Sequence, residues 1–180
     1  DDQFLDPPLF YYSYENKNNL TLSKKMNELF RKSYPELQEN FQIKNFKNKK
    51  IKIGFISEFF KNHTISKLFK GLIFNLDKSL FDINIFYLDN GLGLDQEFLD
   101  NEKANNLKNF KLPKLFKDKI NLILDSNLDI IFYPDIGFST QLFYLTFLKL
   151  AKHQITSWGH PETTGNFNID YYLSSKLLEE

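Results

Sequence analysis

From Lys50 onward short apolar runs alternate with amphipathic stretches, and this alternation most constrains the fold. Ile51 to Ser57 reads as a buried strand. Thr64 to Leu76 reads as a helix whose Ile65, Leu68, Phe69, Leu72, Ile73 and Leu76 form one stripe. Strands follow over Phe81 to Leu88, Leu107 to Leu112, Asp129 to Asp135, His153 to Ser157 and Ile169 to Leu173. Helices are predicted over Leu94 to Asn105, Lys114 to Ser126 and Thr140 to Ala151. Strands alternating with helices imply a parallel sheet wound with right-handed crossovers. The fold class expected is therefore α/β, a Rossmann-like parallel sheet with helices on both faces.

Residues 1–49 have another character. Pro7, Pro8 and the aromatic cluster Phe10, Tyr11, Tyr12 and Tyr14 precede a helix predicted over Thr21 to Ser33, which Pro35 ends. Residues 40–50 are polar and Lys-rich, and the Lys run from Lys44 to Lys52 reads as a solvated connector. The division expected is an appendage over 1–49 and an α/β lobe over 50–180.

Composition removes several classes of function. The chain has 180 residues, 42% of them hydrophobic, enough for a sizeable core. Basic and acidic residues balance at 23 each, which argues against a general nucleic-acid binder. There is no cysteine, so disulfides and thiolate chemistry are excluded. No apolar stretch reaches the length of a membrane span, and the start carries no signal pattern. The cytoplasm is the expected location, and the abrupt ends suggest a piece of a longer chain.

Ligands of such sheets sit outside the carboxyl ends of the strands. Four groups should converge there: Ser57 to His63, Asp135 to Gly137, Gly159 to Gly165, and Ser174 with Ser175. The first strand-to-helix turn, Ser57 to Thr64, has no glycine, so it cannot cradle phosphate as a dinucleotide or phosphate loop does. His63 sits at a helix start, where the dipole disfavours imidazolium; it is either a neutral proton acceptor or a cap. His160, between Gly159 and Pro161, is either a substrate contact or a ring that fixes its loop by hydrogen bonding. Three histidines with Asp135 match no metal-ligand spacing, and no Asp-x-Asp pair is present to hold a metal-bound diphosphate. Glu58 and Asp135 could pair on one edge or cap turns. Trp158 reads as core.

Two stretches are more specific. Ile53-Gly54-Phe55-Ile56-Ser57 with Phe59-Phe60-Lys61-Asn62-His63-Thr64-Ile65-Ser66 forms the first. Asp129 to Gly137, Leu148 to Ala151, Gln154, Trp158-Gly159-His160-Pro161-Glu162-Thr163-Thr164-Gly165 and Ile169 to Ser175 form the second. In order and spacing they resemble peptide O-GlcNAc transferases and their SPINDLY-like bacterial relatives. The resemblance implies a two-lobed GT-B glycosyltransferase of which this chain is the first lobe. The second lobe, expected after Glu180, would hold most of the UDP-sugar pocket, and the reaction would need no metal or other cofactor. The partners implied are a UDP-sugar donor, a protein or peptide acceptor and that missing lobe. His63 falls on the family's histidine, a base or sugar contact. Asn62, Thr64, Asp135, Gly159, His160, Pro161, Thr163, Thr164 and Gly165 are the implied substrate-binding residues. Lys67 and Thr64 depart from the family's pattern, so a second histidine's role is lost. The alternatives are a non-catalytic protein-binding module of the same fold and a flavodoxin-like regulatory domain, the latter lacking an acidic cluster at the first strand end.

Overall fold

The computed structural model describes residues 4–43, 49–89 and 91–177. Lys44 to Asn48 of the expected connector lie outside the described residues. The lobe holds six strands: β1 (Ile51–Ser57), β2 (Phe81–Tyr87), β3 (Lys108–Lys111), β4 (Ile130–Tyr133), β5 (His153–Ser157) and β6 (Tyr171–Leu173). Before them come α1 (Leu9–Tyr12), α2 (Leu20–Ser33) and a 3-10 turn over Pro35–Gln38. Between them run α3 (Thr64–Asn75), α4 (Gln96–Lys103), α5 (Phe116–Asp125) and α6 (Thr140–Leu145).

All strand pairs are parallel and the order is β3-β2-β1-β4-β5-β6. The expected Rossmann-like α/β class is the one found. The chain starts in the middle, winds outward to β3, then returns across the sheet to β4. The direction of winding reverses between β1 and β4, and that gap opens the crevice where such sheets bind ligands.

Side chains alternate between two apolar clusters, as the pleat requires. Ile53 and Phe55 of β1 and Ile83 and Ile85 of β2 face Ile65, Phe69 and Ile73 of α3 and Phe98 of α4. Ile56, Phe86, Ile131 and Tyr133 face the other way, onto Phe116, Ile120 and Ile123 of α5 and the α6 region. Helices therefore cover both faces. Leu9, Phe30 and Leu37 from the N-terminal segment enter the second cluster, so the appendage shares the lobe's core.

Several predicted elements are shorter than expected, two of them for reasons the hydrogen bonds give. The helix expected to reach Ala151 stops at Leu145. There the amides of Thr146, Phe147 and Leu148 bond three residues back, and the Gln154 side chain takes the Leu150 N–H and the Leu148 carbonyl. The last strand begins at Tyr171 rather than Ile169, because the Asp170 side chain accepts the Gln154 N–H and Ile169 closes a turn on Asn166. Among the described residues no helix is long and apolar enough to cross a membrane.

Candidate functional site

The carboxyl ends of β1, β4 and β5 meet at the switch point. Ser57 ends β1; its hydroxyl accepts the Phe59 N–H at 2.9 Å and hydrogen-bonds to Asp135, just past β4. Asp135 is buried and its Oδ2 has no hydrogen-bond partner among the described residues. Burial pushes its carboxyl up to about 7, with Glu58 adding to the rise and the Ser57 hydroxyl opposing it. Glu58 and Asp135 thus share one edge.

His63 caps α3. Its extended backbone lets Nδ1 accept the Ile65 N–H at 3.2 Å, satisfying one of the free donors of the first turn. Burial, then Lys61 and Lys67, lower its pKa. A ring accepting through Nδ1 is neutral and carries its hydrogen on Nε2, an assignment fixed by the hydrogen-bond network. The cap reading of this residue is the one in place, and the second nitrogen is left as a donor.

Gly159 brings the third loop against the first two. A Cβ there would lie 2.2 Å from the Pro134 carbonyl oxygen and 3.1 Å from Ile65 Cδ1, so only glycine permits the approach. His160 is buried beside Gly137, whose φ of 117° suits glycine and where a Cβ would come within 3.0 Å of His160 Nε2. His160 Nδ1 accepts the Glu162 N–H at 3.2 Å, the loop-fixing role, while Nε2 has no partner among the described residues. Burial lowers its pKa.

Aromatic rings join these parts. Phe59 lies 4.4 Å from the His63 ring, Phe138 lies 6.0 Å from Phe59, and His160 lies 4.7 Å from Phe138, all between centroids. Phe10 of α1 reaches Phe138 at 5.6 Å. The His63 turn and the Gly159 loop therefore occupy the same edge of the sheet.

The predicted site residues divide. His63, Asp135, Gly159 and His160 are brought together; Asn62 and Thr64 are exposed at the α3 start, and Pro161 is exposed on the loop. Thr164 and Gly165 instead engage α2: Asn27 Nδ2 donates to the Thr164 carbonyl at 2.9 Å, and a Cβ at Gly165 would meet Ser23 Cβ at 2.7 Å. The Thr163 N–H donates to Glu162, whose other oxygen accepts from Asn19. Ser174 and Ser175 follow β6, two strands outward from β4. Trp158 packs 5.4 Å from Phe69. Phe59, which the sequence offers only as part of a motif, Phe138 and the α2 side chains are not among the site residues expected from sequence. The rings sit two and five residues past the ends of β1 and β4, where alternation has stopped, and α2 lies far off in the chain. Among the described residues no group of three or more His, Asp or Glu could hold a metal ion.

Together the sheet order and the crevice define a Rossmann-type α/β fold. The chain is similar to a solved structure of a Thermobaculum terrenum O-GlcNAc transferase mutant (K341M), with a TM-score of 0.68 at 16% identity over 89% of this chain. It spans 31% of that enzyme's length. At this identity the likeness is one of fold. No family model matches the sequence, and no curated protein matches it.

Proposed function

We propose that this chain is the acceptor-side lobe of an inverting glycosyltransferase that moves a sugar, N-acetylglucosamine, from UDP to a protein hydroxyl. The observation that carries this reading is the meeting of the His63 turn and the Gly159 loop at the β1/β4 switch point. The fold likeness to an O-GlcNAc transferase supports it.

In that reaction the acceptor oxygen bonds to the anomeric carbon as the bond to the diphosphate breaks, and the acceptor proton passes to a base, either the departing diphosphate or His63 in its other tautomer. A lobe without a glycine phosphate loop would leave the diphosphate to its partner lobe. His63 then holds an acceptor or sugar oxygen through its Nε2–H. It could take the proton at Nε2 only as the other tautomer, which gives up the cap on Ile65. The remaining polar contacts would come from Asn62, Thr64 and the start of the loop after β5, Gly159 to Pro161.

The test is transfer from UDP-N-acetylglucosamine to Ser/Thr peptides by the protein carrying both lobes, read by mass spectrometry. Transfer that His63→Ala abolishes supports the reading; absence of any transfer with both lobes present sinks it. A second reading, a protein-binding module without catalysis, is favoured by one feature: both histidines spend a nitrogen on loop geometry. It predicts partner capture without sugar transfer.

A further inference from the structure

A cavity of about 700 Å³ lies between α2 and the loop that follows β5, apart from the His63 turn. Lys24, Asn27, Arg31, His160 and Phe167 are among its lining residues. Such a volume suits a dipeptide-sized or nucleotide-sized ligand.

Arg31 is the only arginine in the sequence, against 22 lysines. It is partly buried, its guanidinium lies 4.2 Å over the Phe167 ring, and one Nη donates to the Phe147 carbonyl at 2.7 Å. Its Nε–H has no partner, and it forms no ion pair among the described residues. Burial lowers its pKa, yet a guanidinium stays charged. A charge taken from water is normally matched by an opposite one. Here Glu28, one turn back on α2, lines the same cavity but forms no ion pair with Arg31, and Glu162 and Asp170, which also line it, are hydrogen-bonded to Asn19 and to Lys149 and Gln154. Asn27, one helical turn before Arg31, is buried with Oδ1 unpartnered, and His160 presents an unpartnered Nε2. The cavity thus offers a fixed cationic fork, a second donor and one acceptor, beside an exposed aromatic ring.

We propose that this cavity binds an organic anion, a carboxylate or phosphate carried on an apolar or planar body, with the anion on Arg31. The Nε–H and the flat face explain why arginine stands here in a lysine-rich chain: a lysine offers no planar fork. The site shares the loop after β5 with the proposed transfer reaction, but its anion contact is Arg31 of α2, and it does not depend on that reaction.

The Arg31 Nε–H resonance, followed by NMR in the whole protein, reports the event directly. Phenylacetate and phenyl phosphate should shift it saturably, and neutral phenylacetamide should not. Uridine monophosphate and the capped dipeptide Phe-Glu amide separate a nucleotide phosphate from a peptide carboxylate, the tighter binder naming the source. Arg31→Gln should weaken anion binding by at least about tenfold, read on neighbouring amides. Asn27→Asp, which adds a second carboxylate one turn from Arg31, beside Glu28, should weaken it as well and guards against misfolding of the first variant. The proposal falls if the neutral amide shifts the resonance as the anions do, or if no anion shifts it. It falls too if Glu179→Gln/Glu180→Gln alone moves the resonance as a ligand would, since the anion is then the chain's own.

Discussion

His63 shows how one side chain divides its work. Nδ1 holds the first turn of α3 and Nε2 faces outward as a donor. The two tasks can be separated. Asparagine also caps well, whereas alanine does not, and losing a cap costs about 1 kcal/mol. His63→Ala should therefore lower the melting temperature by a few degrees, about 2–4 °C per kcal/mol for a chain of this size. His63→Asn should leave it close to wild type. In the two-lobed protein both should lose transfer, because neither keeps the imidazole Nε2. Transfer retained by His63→Asn would reduce His63 to a cap. Asp135 gives a second test at this scale. Its carboxyl is raised to about 7, so the folded state binds the proton more tightly than the unfolded state does. Below the usual value of 3.8 both states are protonated and the group costs nothing. As pH rises from there to about 7 the cost grows, and above that it stays whole. Asp135→Asn should thus stabilise at pH 8, by up to about 4 kcal/mol, and by much less at pH 4.5. The unpaired amide hydrogens of the new asparagine cost the same at both values and cancel from the difference. Calorimetry at the two pH values checks this; an equal gain at both would show that the carboxyl does not titrate as described.

At the scale of elements, the loop after β5 is clamped from two sides. Pro134 and Ile65 press on Gly159, while Ser23 and Lys24 of α2 press on Gly165, whose φ is +59°. Gly165→Ala would set its Cβ 2.7 Å from Ser23 Cβ and 2.9 Å from the Lys24 nitrogen, a clash with backbone that α2 must move to relieve. Hydrogen exchange should then quicken across Leu20–Ser33 while β1 and β2 stay protected; unchanged exchange in α2 would show that the contact carries no stability. The glycines and proline of this loop were visible in the sequence as a fixed path, and so were β1 and β5, whose bounds match residue for residue. What escaped is what distant residues decide. The run from Thr140 to Ala151 is apolar nearly all round, so periodicity could not mark where Gln154 and Asn168 take over its carbonyls. Nor could the sequence say that Thr164 would turn to Asn27, more than a hundred positions earlier, rather than to the crevice. The switch-point half of the site was legible because strand ends are set locally, and the α2 half was not because its partners are set by packing.

For the molecule as a whole, the N-terminal segment and the α/β lobe form one core. Leu9, Phe30 and Leu37 are at most 7% exposed, and they lie in the same cluster as Phe143, Tyr144 and Leu148. Phe30 meets the Tyr144 ring edge-on at 5.4 Å, Phe4 stacks on Tyr144 at 4.3 Å, and the Tyr144 hydroxyl donates to the Leu5 carbonyl. Removing residues 1–43 would strip these rings bare. Burial of a large apolar side chain is worth about 1.5–3 kcal/mol, so the three residues alone supply a sum comparable with the roughly 5–15 kcal/mol that holds a domain folded. Newly exposed Phe143 and Tyr144 add to the loss and create an apolar patch on one face of the sheet. A protein starting at Lys44 should therefore bind a hydrophobic dye, melt over a broad range and associate, whereas the 180-residue chain should melt in one sharp transition. If the shortened protein melts as sharply as the whole chain and within a few degrees of it, the N-terminal segment is a dispensable attachment, and the cavity lined by Arg31 loses its rigid wall.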